Sequence, residues 1–453
     1  MGPEWVAIIA LVALFIVGTV LPINMGALAY VAAWLVGMYS LDLEEKEILA
    51  GISADLVLTL IGVTYLFAIA RQNGTVDLIV RKAVGAVGGR VALIPWVMFA
   101  VTGVITAIGA ASPAACAIIG PIALSFAGRY QISPLLMGML VVHGAQAGGF
   151  SPISIYGTIT NSVMEQAGLE TTPLTIFFSS LAVNTVLAAV LFVALGGRKL
   201  LSVRMDAEGE LISAGTAPAP GGASADQSGQ ADRRSATGAS PTTGTPPATD
   251  TEYAGSTREH VLTLLAFAAV AVVALAFEKN IGFVAITAAV LLSMLSPQAY
   301  KDTVKQIAWP TVLLVAGVTT YATILTTAGS PEFVGEWAAG LGAVVIGALI
   351  LCYVGGVVSA FASSTALLPV IIPIAIPLVG EGGLSAGLFV AALAVSSTIV
   401  DVSPFSTNGA LMLANRPDTI DENVYYKQIL GYAVIVTLVG PLLVWAALVL
   451  PGW

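Results

Sequence analysis

The chain has 453 residues, of which only 9% are charged, and its mean hydropathy is +0.94. A soluble domain carries roughly 25% charged residues, and apolar segments of about 17–23 residues recur here along almost the whole length, near the ~20 that cross a bilayer. The net charge of −9 lies in loops, and no basic stretch is interleaved with aromatics. A water-soluble fold and a nucleic-acid partner are thereby excluded, leaving an all-α polytopic protein whose first partner is the lipid bilayer.

From the N-terminus, MGPEWVAIIALVALFIVGTVLP lacks a basic start and reads as a retained span, not a cleaved signal. Ten simple spans are expected, near 4–20, 23–40, 52–70, 134–160, 174–196, 260–277, 281–296, 309–327, 386–413 and 428–450. Residues 75–89 put Val76, Ile79, Val80, Ala83, Val84 and Val87 on one helical face, and 330–340 starts at a Ser330 cap before Phe333, Val334 and Trp337. Both read as interfacial helices.

Two stretches, 91–128 and 341–380, do not fit as single spans. Each has a long first arm, a break of small residues and a second arm, about 114–127 and 366–379. Some 14 residues rise about 21 Å, short of the ~30 Å hydrocarbon thickness, which predicts two re-entrant hairpins. Between the halves, 205–257 is rich in Pro, Gly, Ala, Ser and Thr and reads as a disordered linker. The organisation is therefore 1–200, five spans plus a hairpin, the linker 205–257, and 258–453, again five spans plus a hairpin.

With the hairpins returning to their own side, fifteen Lys and Arg residues fall on one face and only Lys46 and Lys279 on the other. The positive-inside rule makes the rich face cytoplasmic, with both termini outside and the linker inside. A bacterial-type inner membrane is the expected location.

The chain also repeats itself. SPAACAIIGPIA from Ser112 matches STALLPVIIPIA from Ser364, and QAGGFSPISIYG (146–157) matches TIVDVSPFSTNG (398–409), both at an offset of 252. GVTYLFAI (62–69) matches GVTTYATI (317–324) at an offset of 255. Five spans is an odd number, so the second copy is expected upside down relative to the first.

Non-helical backbone at membrane depth is tolerated only in a cavity or within protein. Four such places are expected: hairpin tips near 109–114 and 362–366, and Ser-Pro breaks near 148–154 and 400–407. Broken helices offer positive N-termini to an anion and bare carbonyls to a cation. Candidate substrate residues are Ser112, Pro113, Ser151, Pro152, Ser154, Ser363, Ser364, Thr365, Ser403, Pro404, Ser406, Thr407 and Asn408. Candidate cation-coupling residues are Ser112, Gly148, Gly149, Ser364, Asp401 and His143. Asp401 reads either as a coupling carboxylate or as a partner of local backbone. His143 reads as a buried hydrogen-bonded ring or as a proton relay, and Asn408 as a substrate ligand or a helix-restart cap. Asn24 and Asn184 read as interhelical hydrogen bonds, and Asp55 as interfacial. Cys116 and Cys352 read as small core residues. No bound cofactor or metal is expected beyond transported Na+ or H+.

On these hairpins, Ser-Pro breaks and inverted order, the chain resembles the ion transporter superfamily. It is similar to the divalent anion/sodium symporters and most similar to the MatC-type malonate/dicarboxylate carriers. The stretch 41–170 resembles the N-terminal domain that names the MatC family. Ser112-Pro113-Ala114 and Ser363-Ser364-Thr365 stand where the symporters carry Ser-Asn-Thr, and Ser151-Pro152 and Ser403-Pro404 stand at their Thr-Pro breaks. The resemblance implies a homodimeric secondary transporter for small dicarboxylates, Na+-coupled and elevator-like. Its scaffold would be spans one to three and seven to nine. A proton-coupled carrier of another organic anion is the alternative. An enzyme built on His143, Ser151 and Asp401 is disfavoured, because the repeat gives Ser151 a twin in Ser403 without a second histidine.

Overall fold

The computed structural model describes residues 2–21, 23–85, 87–88, 90–201, 203–205, 211–213, 256–277, 279–339, 344–360, 363–382, 384–416 and 420–451. The first half runs α1 (Pro3–Val20), α2 (Met25–Ser40), α3 (Glu45–Ala50), α4 (Ala54–Gln72), α5 (Thr75–Gly85), α6 (Leu93–Ala107), α7 (Ser112–Arg129), α8 (Pro134–Gly148), α9 (Ile155–Gln166), α10 (Pro173–Ala194) and α11 (Gly197–Leu200). The second runs α12 (Thr257–Ala276), α13 (Ile281–Leu295), α14 (Pro297–Tyr300), α15 (Trp309–Thr327), α16 (Ser330–Ala339), α17 (Val344–Ser359), α18 (Ser364–Gly382), α19 (Ala386–Ile399), α20 (Thr407–Ala414) and α21 (Glu422–Leu448). Among the described residues five helices, α4, α10, α12, α15 and α21, are long and apolar enough to cross a membrane, and seven shorter apolar helices accompany them. The protein is a nearly all-helical, multi-pass membrane protein. The greater part of the linker 205–257 lies outside the described residues. At its edge β1 (Val203–Met205) pairs antiparallel with β2 (Leu211–Ser213), so Met205 and Leu211–Ser213 of the linker are paired backbone.

Two bodies follow from the packing. In the first, α4 packs on α13 and α15 on α2, with α1 against α2 and α12 against α13. The crossings are made by glycine: a Cβ on Gly62 or Gly282 would meet the backbone of the other helix, and the same holds for Gly26 and Gly317. Small residues let membrane helices approach closely, where lipid offers no hydrophobic drive of its own. Gly62 and Gly317 are the matched first residues of GVTYLFAI and GVTTYATI, so the two crossings are one contact made twice. This corrects the expected scaffold: its second half is α12, α13 and α15, spans six to eight. The ninth span packs instead in the second body, α19 against α17, α18 and α21, and α20 chiefly against α7.

In that second body α8 sits among α6, α7 and α10, as α19 sits among α17, α18 and α21, and α10 also packs on α19. Polar bonds close each end of the molecule. At the basic end Asn73 Nδ2 donates to Thr263 Oγ1 at 2.8 Å, and Gln72 Nε2 to the Ala299 carbonyl at 2.7 Å. At the other end Gln166 Nε2 donates to Ser53 Oγ at 2.8 Å, and Ser330 Oγ to the Glu4 carbonyl at 3.2 Å.

The second hairpin arms are longer than expected. They run 18 residues in α7 and 19 in α18, about 27–29 Å at 1.5 Å per residue. The gain comes from both ends. Ser112 and Ser364 already belong to the first turns, and Pro113 sits at a helix start where its missing N–H costs nothing. Pro121 lies inside α7, and Pro369, Pro373 and Pro377 lie inside α18, without ending either helix.

Candidate functional site

The first break begins where α8 ends. Gly148 presses on α6 so closely that a Cβ would strike the Gly103 backbone, and Pro152 cannot continue a helix because it lacks an N–H. The carbonyls freed by the break are satisfied locally. Ser151 Oγ donates to the Ala107 carbonyl at the end of α6, 2.6 Å away. Ser154 Oγ donates to the carbonyls of Gly149 and, at 2.7 Å, of Ser151. The second break has the same plan. Ser406 Oγ donates to the Ser403 carbonyl at 2.8 Å, and Ser403 Oγ accepts from Phe405 N at 3.1 Å. Gly157 and Gly409 each lie over the carbonyl of their Ser-Pro serine, Ser151 and Ser403, where a Cβ has no room.

The breaks differ in one charge. Asp401, 3% exposed, lies in the break two residues past the end of α19 and six before α20 begins. Its carboxylate accepts from Asn408 N at 3.3 Å and from Asn408 Nδ2 at 2.8 Å. The same Nδ2 donates to Ser112 Oγ, 2.8 Å away on the first hairpin tip. Asn408 thus joins a break of one half to a tip of the other, while its Oδ1 is buried without a protein partner. At the second tip Ser364 Oγ bonds Ser359 Oγ at 2.7 Å.

Both tips and both breaks border one cavity of about 610 Å³. Ala111–Ala114, Ile155 with Tyr156, Ser363 with Thr365, and Phe405 with Thr407 line it on one side. Gly18, Asn24, Met25, Ala308, Pro310, Thr311 and Leu314 of the scaffold line the other. The scaffold residues stand at the α1–α2 turn and the start of α15, so the cavity belongs to the basic end. The helices α7, α9, α18 and α20 all begin at its wall. No Lys, Arg, Asp or Glu is among the lining residues. Four helix N-termini, each worth about half a positive charge, are therefore its main fixed electrostatic feature.

Of the candidates from sequence, Ser112, Pro113, Ser363, Thr365 and Thr407 line this cavity. Ser151, Ser154, Ser364, Ser403, Ser406 and Asn408 stand one layer behind, holding the breaks and tips together, with Pro404 in the second break beside Phe405. Pro152 borders a different cavity. The Gly148 carbonyl already accepts from Ser151 N, and that of Gly149 from Gly157 N and Ser154 Oγ, so neither is a bare cation ligand. His143 is not brought to the cavity. Its Nδ1 meets Asn184 Oδ1 at 2.8 Å and its Nε2 meets Tyr432 Oη at 2.6 Å. Asn184 Nδ2 donates to the Ser180 carbonyl, so Oδ1 faces the ring. The arrangement suits a neutral imidazole that donates from Nδ1 and accepts at Nε2. Asn24 and Asn184 make the interhelical bonds expected, Asn24 Nδ2 to the Pro310 carbonyl at 3.0 Å. Cys116 and Cys352 are buried and free.

Sequence reasoning missed Tyr156, Phe405 and the scaffold wall. Ile155 and Tyr156 were within reach, because the offset of 252 places them on Thr407 and Asn408. The scaffold wall carries no such signal: Gly18, Met25 and Leu314 are ordinary apolar residues until a second body lies against them.

Comparison with known families now bears on this geometry. Residues 1–149 match the family model described as dicarboxylate carrier protein MatC N-terminus. Residues 273–452 match the one described as citrate transporter. No curated protein matches the chain.

Proposed function

We propose, for a chain that resembles the MatC-type dicarboxylate carriers of the ion transporter superfamily, that it is a secondary active transporter of small dicarboxylates such as malonate or succinate. The observation that carries this reading is the convergence of four helix N-termini on one cavity without a charged side chain. A helix N-terminus stabilises an anion by about 0.3–1 kcal/mol, and up to ~2 kcal/mol when partly buried. Four of them hold a carboxylate without the cost of a buried lysine, and leave it free to depart.

Coupling is assigned to Asp401, the buried carboxylate tied through Asn408 to the first tip. Na+ symport is the preferred form, with the cation as cargo beside Asp401 and Ser112. Protonation of Asp401 is the alternative. The division into a glycine-crossed scaffold and a hairpin body supports an elevator-like movement of the second against the first, in a homodimer. The hairpins are re-entrant in this reading. The membrane is a bacterial-type inner membrane, with the basic end cytoplasmic and the termini outside. A carrier fits better than an enzyme: His143 is engaged by Asn184 and Tyr432, Ser151 by Ala107 and Asp401 by Asn408, so no hydrogen-bonded triad links them.

Reconstitution into liposomes tests this. Uptake of radiolabelled malonate or succinate should require an inward Na+ gradient. Uptake driven equally by a proton gradient alone would replace Na+ with H+, and no uptake of any dicarboxylate under either gradient would sink the reading.

A further inference from the structure

A second cavity, of about 1080 Å³, lies at the end opposite the basic one. Its scaffold wall is Ala274, Asn280, Ile281, Asp55, Leu56 and Thr59. The first cavity's wall includes Gly18, Asn24, Met25, Pro310, Thr311 and Leu314. These are the same six positions, taken from the other half. An offset of 256 carries 18, 24 and 25 onto 274, 280 and 281, and one of 255 carries 55, 56 and 59 onto 310, 311 and 314. The bonds repeat as well. Asn24 caps α2 and donates to the Pro310 carbonyl; Asn280 caps α13 and donates to Asp55 Oδ1. The far side of this cavity includes Pro152 of the first break and Thr158 of α9. The two walls differ most at one pair, a proline carbonyl at 310 against a carboxylate at 55.

The elevator reading already has this second wall take the place of the first over the solute; we infer that Asp55 makes the two faces unequal by disfavouring an anionic solute on its own face. The inference rests on the transport reading and deepens it. An elevator displacement that exchanges one wall for its repeat mate needs no new structure, because the crossings beneath both walls are already equivalent. Glu165 and Lys279, of opposite sign, also line this cavity, so with Asp55 its lining carries a net negative charge that the first cavity lacks.

Two measurements on the full chain test it. In right-side-out and inside-out vesicles, Asp55→Asn should lower the KM for malonate about fivefold on the Asp55 face, the order expected for one unit charge near 4 Å in water. The KM at the basic face should not move. Equal changes on both faces, or none, would overturn the assignment. The second measurement does not need transport. Ala111→Cys places a thiol in the first cavity, and the native cysteines are buried. A membrane-impermeant maleimide should reach it from both faces in turn. With Ser53→Cys and Gln166→Cys oxidised to a cross-link, it should reach it from the basic face alone. Labelling from one face only in the uncross-linked protein defeats the inference even if malonate is carried. Absence of uptake with labelling from both faces defeats the dicarboxylate reading and leaves the exchange of walls standing.

Discussion

The two hairpins are built from matching sequence, yet they are seated differently. In the second, α18 lies along α15 and α16, and its Ala366 and Val370 join the apolar cluster formed by α1, α2 and α15. In the first, α7 makes no comparable contact with α4 or α5 among the described residues, and its tip borders the cavity at the basic end. Inside each body the repeats correspond closely, down to the glycine crossings and the Ser-Pro serines. The symmetry fails where the two bodies meet. The proposed sliding movement requires such an asymmetry of any structure that stands at one of its ends.

The comparison can be broken most sharply at the breaks. Asp401 has no charged counterpart at Gly149, its match at an offset of 252. Asp401→Asn should abolish gradient-driven uptake, to under about 1% of wild type if Asp401 carries the coupling charge, while expression and detergent Tm stay close to wild type. Coupled uptake unchanged in this variant would remove Asp401 from the mechanism.

Next in size come the glycine crossings. Gly62→Leu and Gly317→Leu each force a side chain into the facing backbone, and overpacking of this kind costs about 1–3 kcal/mol or more. The two variants should lower the detergent Tm by similar amounts. A large effect at one and none at the other would show that the crossings are not equivalent. A smaller effect separates the hairpins. Val370→Ala removes apolar surface buried against the scaffold, at about 0.8 kcal/mol per lost methylene equivalent. Ile118, its match in α7, is only partly buried, and Ile118→Val should cost less in the same thermal assay. Equal costs per methylene would argue that both hairpins are docked alike.

The smallest effect is expected at Lys305 and Asp302, an exposed pair 2.7 Å apart. Hydrogen bonding to Lys305, with its charge, holds the Asp302 carboxyl below its ordinary range. A depressed acid stabilises above its unfolded pKa and loses that contribution as pH falls through the folded one. Exposed pairs are worth little, so Lys305→Ala should leave Tm at neutral pH within error, and any difference from wild type should shrink in acid.

What could be read from the sequence is mostly backbone. Prolines, glycines and serines punctuate helices wherever they stand, so the breaks, the tips and the offset of 252 were visible in SPISIYG and SPFSTNG before any packing was known. The side chains at those breaks were less readable. Ser151, Ser154 and Ser406 look like ligand donors in a one-dimensional reading, but a break exposes carbonyls in a low-dielectric interior, and the nearest hydroxyls are spent on them. Arm length was misjudged for a related reason. The first turn of α18 begins at Ser364, inside the polar cluster expected to be irregular, because a serine tolerates a helix start as well as a break. The scaffold wall was unreadable because it is made by contact between distant segments; Asp55 is exposed in the first turn of α4, as an interfacial residue would be, and its place in a wall shows only through its repeat mate Pro310.

The most direct test of the shared site is where a dicarboxylate binds. A cryo-EM map of the protein with malonate and Na+ should place ligand density in the first cavity, between Ser112–Ala114, Tyr156, Thr365 and Thr407. Density bound elsewhere, with that cavity empty under conditions where uptake is saturated, would contradict the account.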